Sequence, residues 1–291
     1  MRALETGFTT RPRFLMCRPQ YFSVSYSINP WMDPQGWASA GGDLWQTADR
    51  QWRAFHDTLR SKGAAIEFVD PAPDLPDLVF TANAAVVLDG LLSRFRHLER
   101  RGEEPVFADT FRKLHSQADL DSVEELPPDT ILEGAGDCIW DQRRRQFWMG
   151  CGQRSDSAAA HIVADRFGVE CVALQLADPS FYHIDTAFCA LPTGDIIYYP
   201  AAFTDTARHA IEERVEPAQR ITLDDAEAAQ FSANVVSFDH CLVLSSCTDM
   251  LRRTVEERGF TVLTTPLNAF LRSGGSACCL TLRLDYRSGA S

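Results

Sequence analysis

Five polar residues recur along the chain at nearly constant spacing, and together they include the groups that nucleophilic catalysis needs. They are Asn83, Glu133, His183, Asn234 and Cys279, separated by 50, 50, 51 and 45 residues. A cysteine thiolate can attack an electrophilic carbon, and a histidine can pass a proton to a leaving group and later take one from water. Carboxylates in a narrow pocket bind a planar cation through charge-assisted hydrogen bonds. The combination suits a substrate that carries a guanidinium group.

The spacing of these residues is also the period of the predicted secondary structure. A helix, a strand and a β-hairpin follow one another five times, and each polar residue stands where a hairpin begins. Recurrence of one supersecondary unit at a fixed period is typical of repeat arrays, in which each unit packs against its neighbours. Five units predict a closed ring with the polar residues gathered at one end of its axis. An open α/β sheet with coincidental spacing is the alternative, and we favour the ring.

The individual elements are predicted from hydrophobic period and turn residues. Residues 43–62 have the period of an amphipathic helix that ends at Gly63, with one apolar face made of Trp45, Ala48, Trp52, Phe55 and Leu59. Asp89-Gly90 is the two-residue signal of a hairpin turn. Further helices are predicted over residues 103–116, 155–167, 205–214, 222–231 and 248–258, with a short one opening at Thr265-Pro266 and a last strand beginning at Cys279.

Each candidate residue also has a purely structural interpretation. His183 can be a core histidine bonded to Asp185, and Glu133 can cap backbone amides in a turn. A lone cysteine is more often a small buried apolar residue than a nucleophile, and Cys278 competes with Cys279 for that role. The functional interpretation is favoured because several such explanations would have to coincide with one period.

Composition excludes several classes of partner. The 291 residues carry a formal net charge of −12, whereas nucleic acids and anionic membranes require a basic surface. The N-terminus lacks the apolar core of a signal peptide, and no run reaches the roughly 18 apolar residues of a membrane span. The nine cysteines include no Cys-x-x-Cys pair and no zinc-ligand spacing. We therefore predict a cytoplasmic protein that binds neither nucleic acid nor membrane, and we leave a homo-oligomer open.

Five motifs can be compared with known families: Pro76-Asp-Leu-Val-Phe-Thr-Ala-Asn83, Leu92-Ser-Arg-Phe95, Glu133-Gly-Ala-Gly-Asp137, Phe181-Tyr-His-Ile-Asp-Thr186 and Gly274-Gly-Ser-Ala-Cys-Cys-Leu-Thr-Leu-Arg-Leu284. Together they resemble the guanidine-modifying superfamily, which includes arginine deiminases, dimethylarginine dimethylaminohydrolases and amidinotransferases. The similarity looks closest to the arginine dihydrolase (guanidinohydrolase) branch. It implies a five-bladed α/β propeller as a single catalytic domain over residues 13–284, between a flexible N-terminus (1–12) and a C-terminal tail (285–291).

The resemblance also implies a role for each residue that matches a motif. Cys279 would be the nucleophile, because the family cysteine is followed by an apolar residue and then Ser or Thr, here Leu280-Thr281. His183 would be the general acid and base, with Glu133 as its partner. The residues implied in substrate binding are Asp185 and Asn83 at the guanidinium, Arg94 and Arg154 at the α-carboxylate, and Asn29 and Asp77 elsewhere in the site.

The function implied is cysteine-dependent hydrolysis of a guanidino C–N bond through a covalent thiouronium, without metal or organic cofactor. The substrate would be arginine or an arginine derivative. Asparagine rather than aspartate at position 83 is a feature of the dihydrolase branch, and whether hydrolysis continues through citrulline to ornithine is left open. The alternatives, in order, are a dimethylarginine dimethylaminohydrolase, an amidinotransferase and a non-catalytic propeller that binds a ligand. The sequence departs from the branch at Cys278 and at Cys151-Gly-Gln153.

Overall fold

The protein is built from short strands joined by helices and single helical turns. The computed structural model describes residues 11–88, 91–92, 94–117, 120 and 122–287. Within these ranges the strands are β1 Arg13–Cys17, β2 Ala65–Val69, β3 Ala85–Val86, β4 Leu91–Leu92, β5 Cys138–Asp141, β6 Gln146–Cys151, β7 Glu170–Gln175, β8 Phe188–Ala190, β9 Ile196–Tyr198, β10 Arg220–Thr222, β11 Val236–Phe238, β12 Cys241–Leu244, β13 Thr261–Thr264 and β14 Leu282–Arg283.

The helices vary from one turn to five or more. They are α1 Pro34–Ser39, α2 Gly42–Ser61, α3 Leu98–Arg101, α4 Glu103–Ser116, α5 Gly134–Asp137, α6 Ala159–Phe167, α7 Asp205–Arg214, α8 Asp225–Ala229, α9 Asp249–Glu256 and α10 Asn268–Leu271, with 3-10 turns at Pro76–Val79, Thr81–Ala84, Ile184–Thr186, Pro200–Ala202 and Pro217–Gln219. Among the described residues, none of these helices has the length and apolar character needed to cross a bilayer.

Five small sheets recur along the described chain, and four of them share one three-stranded plan, which confirms the predicted ring of α/β units. In three of them an antiparallel hairpin is followed by a parallel outer strand: β5-β6-β7, β8-β9-β10 and β11-β12-β13. The β3-β4 hairpin forms another sheet. Its turn was predicted at Asp89-Gly90, which lies outside the described residues. The fold is thus a five-bladed α/β propeller.

The fifth sheet joins the two ends of the described chain. Strand β14 pairs antiparallel with β1, with Leu282 opposite Leu15 and Arg283 opposite Phe14. Strand β1 in turn pairs parallel with β2. The C-terminal strand therefore takes the inner position of the same three-stranded plan and closes the ring. This pairing carries the Cys278-Cys279 segment back to the centre of the molecule.

Helix α2 illustrates how the sequence specifies the elements around the ring. Its apolar period buries Ala48, Trp52, Phe55 and Leu59, as predicted, against the sheet that contains β1. Trp45 was predicted on the same face, but it is 38% exposed. Its indole N–H instead reaches outward to the Pro19 carbonyl oxygen at 2.8 Å.

Several element boundaries differ from those predicted. The helix expected over residues 222–231 spans only Asp225–Ala229, because Thr222 ends strand β10. The helix expected over residues 155–167 begins at Ala159. The short helix expected at Thr265-Pro266 begins at Asn268. The last strand begins at Leu282, whereas Cys279 lies in the turn before it. Alternating apolar residues cannot distinguish a strand from a buried turn over so few positions.

Candidate active site

The five recurrent polar residues occupy equivalent places in the five units. Asn83 lies in a 3-10 turn before β3, and Glu133 precedes the single turn of α5 before β5. His183 precedes a 3-10 turn before β8. Asn234 and Cys279 lie in the connections that lead into β11 and β14. A tight turn at the start of each inner strand therefore directs one polar side chain toward the ring centre.

These turns surround one narrow polar cavity of about 280 Å³, which we call the site cavity. Six of the nine predicted site residues line it, and they are Asn29, Asp77, Asn83, Arg154, His183 and Cys279. Glu133 and Asp185 lie directly behind this lining and bond to it. The remaining lining residues are Ile28, Phe80, Arg100, Tyr182, Ser273 and Gly275.

His183 is held by a buried carboxylate. Its Nε2 lies 2.7 Å from Oε2 of Glu133, which also accepts a hydrogen bond of 3.0 Å from Arg154. Burial alone would raise the pKa of Glu133, but Arg154 and the bond to His183 outweigh it and hold this pKa well below its usual range. Burial lowers the pKa of His183 to about 4, against the effect of Glu133. The imidazole is therefore neutral at pH 7, with Nε2–H donated to Glu133 and Nδ1 free to accept a proton.

Cys279 lies between a carboxylate and an amide. Its Sγ is 3.1 Å from Oδ2 of Asp185 and 3.1 Å from Nδ2 of Asn234. Burial, and then the charge of Asp185, raises the pKa of this thiol well above its usual value. Burial also raises the pKa of Asp185 to about 7. The site as it stands thus disfavours two adjacent negative charges, and a cation bound beside them would favour both ionisations.

Asp185 presents one oxygen that accepts no hydrogen bond from an N–H or O–H group of the described residues. Its Oδ2 contacts Cys279, burial raises the pKa of the carboxyl while the neighbouring Cys278 thiol lowers it, and the residue is 1% exposed. A buried acceptor left unbonded is costly, so such atoms usually mark the place of a ligand. A guanidinium group, with donors in a planar array, satisfies this requirement.

The other side of the site cavity carries an arginine that the sequence interpretation missed. Arg100 is 3% exposed and makes a bidentate ion pair with Glu103, through bonds of 2.8 and 2.6 Å. It also donates to Oδ1 of Asn83 at 2.9 Å. The spacing of three residues between Arg100 and Glu103 is a recognisable ion-pair signal. Nothing in the sequence, however, distinguishes this pair from the exposed pairs on other helices.

Arg94 lies apart from the site cavity. Its backbone bridges to Leu132, and its guanidinium approaches Glu104 at 3.8 Å and the Leu126 carbonyl oxygen at 3.4 Å. The residue is therefore not placed with the other predicted substrate-binding residues. It was assigned from its motif alone, whereas the one-turn helix α3 brings Arg100 into the cavity instead.

Two loop residues complete the lining. Asp77 accepts hydrogen bonds from Tyr26 at 2.8 Å and from Ser273 at 3.1 Å. Asn29 accepts from the backbone N–H of Trp31 and donates to the Ser273 carbonyl oxygen at 3.1 Å. The loop before α1 and the segment before Cys279 are thereby tied together at the cavity lining.

Close packing beside His183 requires a glycine at position 136. A Cβ atom at Gly136 would collide with Nδ2 of Asn83 and would lie 3.5 Å from Nδ1 of His183. Gly136 therefore lets the Asn83 carboxamide pack against the backbone beside the imidazole. This close packing explains the second glycine of the Gly134-Ala-Gly136 segment.

Buried carboxyl groups outnumber buried guanidinium groups around the cavity. The carboxyl groups belong to Asp77, Glu103, Glu133, Asp137 and Asp185, and the guanidinium groups to Arg100 and Arg154. Burying an unbalanced set of this kind is costly unless a ligand supplies the opposite charge. The arrangement therefore favours a bound cation, while Arg100 and Arg154 are held in ion pairs with Glu103 and Glu133.

Fold and site together are those of the guanidine-modifying superfamily: a ring of five α/β units with a cysteine, a histidine and carboxyl groups around a central cavity. The chain belongs to the family described as N,N dimethylarginine dimethylhydrolase, eukaryotic, whose model matches residues 32–285. The dimethylarginine dimethylaminohydrolase of Mycobacterium tuberculosis is 33% identical over 94% of this chain and 85% of its own length.

Two cyanobacterial proteins are more similar in sequence. The bifunctional arginine dihydrolase/ornithine cyclodeaminase AgrE of Nostoc is 41% identical over 95% of this chain, which spans only 38% of AgrE. The N-terminal domain of ArgZ, in a crystal structure of a variant bound covalently to a reaction intermediate, is 39% identical. It superposes with a TM-score of 0.88 over 95% of this chain and 99% of that domain.

Proposed function

We propose that this protein hydrolyses a guanidino C–N bond of arginine or an arginine derivative, with Cys279 as the nucleophile. The observation that carries the proposal is the position of the Cys279 sulfur. It contacts a carboxylate with one oxygen that accepts from no described N–H or O–H group, and it lines the same cavity as His183. The similarity to AgrE and ArgZ, both described as arginine dihydrolases, supports the same reaction class.

The substrate would bind by charge at both ends. The guanidinium group would donate to Oδ1 of Asp185, next to the Cys279 sulfur. Arg154 and Arg100 line the cavity and would bind the α-carboxylate, so Arg100 replaces Arg94 in the set that we propose. Asp77 and Asn29 line the same cavity and would contact the remaining polar groups of the substrate.

In the first half of the reaction the bound cation makes the thiol acidic. The thiol proton passes to Nδ1 of His183, and the thiolate attacks the guanidinium carbon to form a C–S bond. Glu133 stabilises the imidazolium that results, because its carboxylate holds Nε2–H. The imidazolium then protonates the departing nitrogen as the C–N bond breaks. Ammonia, or an alkylamine, leaves, and a covalent thiouronium remains on Cys279.

In the second half water replaces the amine. Neutral His183 takes a proton from water, whose oxygen adds to the thiouronium carbon. The tetrahedral adduct collapses with cleavage of the C–S bond, which returns the thiolate and releases a ureido compound. For arginine the products are citrulline and ammonia.

The carboxamide of Asn83 supports citrulline as a second substrate. A guanidinium can only donate and a carbonyl oxygen can only accept, so the bonds from Arg100 to Oδ1 and from Nδ2 to the Glu133 carbonyl oxygen fix one amide orientation. The NH₂ group is thus the part of Asn83 that packs on Gly136, on the side of His183. A donor there suits a ureido oxygen, and a second hydrolysis would yield ornithine, carbon dioxide and ammonia.

Hydrolysis of dimethylarginine is the second candidate, because the family model and the mycobacterial relative carry that description. The two candidates differ in the leaving group. Dimethylarginine releases dimethylamine and citrulline, whereas arginine releases ammonia. An amidinotransferase would instead pass the amidino group to an amine, and its product would depend on added glycine or lysine.

The test is an assay of the purified protein with arginine, dimethylarginine, agmatine and citrulline, in which ammonia, dimethylamine, citrulline and ornithine are quantified. We expect ammonia from arginine, and ornithine if citrulline is also accepted. Absence of turnover with all four compounds, in protein shown to be folded by circular dichroism, would contradict the proposal.

We also propose a cytoplasmic location, with which the nine free cysteines are compatible.

A further inference from the structure

Asn234 is the one member of the five recurrent positions to which neither the motifs nor the proposed reaction gives a role. It is completely buried and precedes β11, the inner strand of its sheet. The four equivalent residues are Asn83, Glu133, His183 and Cys279, and all of them line the site cavity or bond to its lining. Asn234 therefore occupies a site position, and its role depends on what its amide contacts.

The amide orientation is fixed by the backbone. Oδ1 of Asn234 accepts hydrogen bonds from the N–H groups of Cys278 at 2.8 Å and Cys279 at 3.3 Å. Nδ2 donates to the Asp185 carbonyl oxygen at 2.9 Å. Because an N–H can only donate and a carbonyl oxygen can only accept, the reverse orientation would break all three bonds. The NH₂ group consequently faces the nucleophile.

The same nitrogen lies 3.1 Å from the Cys279 sulfur. The opposite neighbour of that sulfur is the Asp185 carboxylate, also at 3.1 Å, which repels a thiolate. We propose that Asn234 is a catalytic residue: its amide N–H donates to the Cys279 thiolate, stabilises it beside Asp185 and holds the sulfur in line with the guanidinium carbon. This role rests on the proposed function, in which Cys279 is the nucleophile.

A donor at this place has a chemical purpose that packing alone does not supply. When the thiol loses its proton, its hydrogen bond to Asp185 is lost as well, and a new negative charge faces the carboxylate. A preorganised N–H donor compensates that charge without any rearrangement. A hydrogen bond to a charged group typically changes the population of the charged form by about 10- to 100-fold.

The test compares Asn234→Asp with Asn234→Ala. Aspartate keeps the shape and the oxygen that accepts from the two backbone N–H groups, but it places a second oxygen against the sulfur. Those backbone bonds also favour its ionised form. Asn234→Asp also loses the donor to the Asp185 carbonyl oxygen, so a purely structural role predicts damage in both variants as well. A donor role predicts in addition that both variants move the midpoint of Cys279 ionisation to higher pH, and Asn234→Asp at least as far as Asn234→Ala. The midpoint pH of Cys279 alkylation therefore separates the two roles.

The readout is the rate of alkylation of Cys279 by iodoacetamide at several pH values, with the modified peptide identified by mass spectrometry. We expect both variants to react about 10- to 100-fold more slowly than the wild type at each pH below the thiol midpoint. With arginine we expect a similar loss in kcat and little change in KM, because Asn234 does not line the site cavity. Asn268→Ala, on an exposed surface, is the control and should match the wild type.

Equal alkylation rates in Asn234→Asp and the wild type would overturn the proposal. Asn234→Ser, which retains an oxygen for the backbone N–H groups, is measured in the same series in case the alanine variant does not fold. Unfolding of all three variants, judged by circular dichroism, would mark Asn234 as structural and also overturn it. Alkylation needs no substrate, so the alkylation rates can be interpreted whether or not the protein turns over a guanidine. Absence of guanidine turnover would contradict the proposed function only.

Discussion

The two cavities at the centre of the ring differ in almost every respect. The site cavity, of about 280 Å³, is lined by charged and amide side chains at the starts of the inner strands. A second cavity of about 740 Å³, which we call the strand cavity, is mainly apolar. Its lining comes largely from the inner strands themselves and includes Val87, Cys138, Trp140, Phe188, Cys189, Val235, Cys278 and Tyr286.

The boundary between the cavities passes between two adjacent cysteines. Cys279 lines the site cavity and Cys278 lines the strand cavity. Cys279 is buried and Cys278 is half-buried, and for both thiols desolvation, then the charge of Asp185, raises the pKa. What distinguishes them is the surroundings: Cys279 faces the cavity that also contains His183 and the arginines. Cavity size is thus a poor guide to the site here, and the gathering of buried charge is a better one.

The largest expected effect is the loss of the nucleophile. Cys279→Ser should lower turnover of arginine by about 10⁵-fold or more, because a neutral hydroxyl beside Asp185 cannot replace the thiolate. Cys278→Ser should retain most of the activity, because its side chain lies in the strand cavity. Ammonia release by the two variants, measured side by side, checks this. Loss of activity in Cys278→Ser alone would place the nucleophile one residue earlier.

A smaller loss is expected when the partner of His183 is neutralised. Glu133→Gln preserves the size of the side chain but removes the charge that holds Nε2–H and stabilises the imidazolium. We expect kcat to fall by about 10³- to 10⁴-fold, as for other histidine–carboxylate pairs. The matched control is Glu256→Gln on the exposed surface of α9, which should leave kcat unchanged. A kcat near that of the wild type in Glu133→Gln would show that this pair is structural.

Binding of arginine should depend on pH through Asp185, whose pKa burial raises to about 7. The Cys279→Ser variant cannot react, so binding can be measured alone. In its empty site Asp185 is mainly protonated below pH 7, whereas a bound guanidinium favours the ionised carboxylate. Affinity should therefore rise by up to about tenfold per pH unit from pH 5 to 7 and level off above. Calorimetry in buffers of different ionisation enthalpy should detect proton release at pH 6. Affinity independent of pH would remove Asp185 from the guanidinium site.

The smallest effect on catalysis is expected in the strand cavity. Phe188 is fully buried there against Trp148 and Phe203. Phe188→Ala should lower the free energy of unfolding by about 3–5 kcal/mol. Its kcat per folded molecule should stay within about threefold of the wild type, since effects away from the site act mainly on stability. Urea denaturation and kcat measured together check this, with Met250→Ala, 72% exposed, as the control.

Much of the site could be predicted because its residues follow the period of the fold. Asn83, Glu133, His183 and Cys279 occupy equivalent turns, so one repeat places all of them at the ring centre. The period locates each turn, but it does not show at which residue the following strand begins. The last strand was therefore predicted to begin at Cys279, although the chain turns there and pairs only from Leu282.

The parts that the sequence did not reveal depend on tertiary packing. Arg100 enters the site cavity from a helix between two units, and its burial beside Glu103 follows from contacts with distant turns such as that of Asn83. Arg94 lies in a motif that resembles the guanidine-modifying superfamily, but its guanidinium lies near Glu104, at 3.8 Å. Local spacing identifies charged residues that can pair. Which arginine is buried depends on contacts with residues that are distant in sequence.

The central claim is that Cys279 forms a covalent bond to the guanidino carbon. The direct measurement is mass spectrometry of peptides from enzyme quenched in acid within milliseconds of mixing with excess arginine, over a series of quench times. We predict a thiouronium adduct on Cys279 that appears before steady-state ammonia release and disappears when arginine is exhausted. An adduct on Cys278, or steady turnover with every cysteine unmodified at all quench times, would contradict the account.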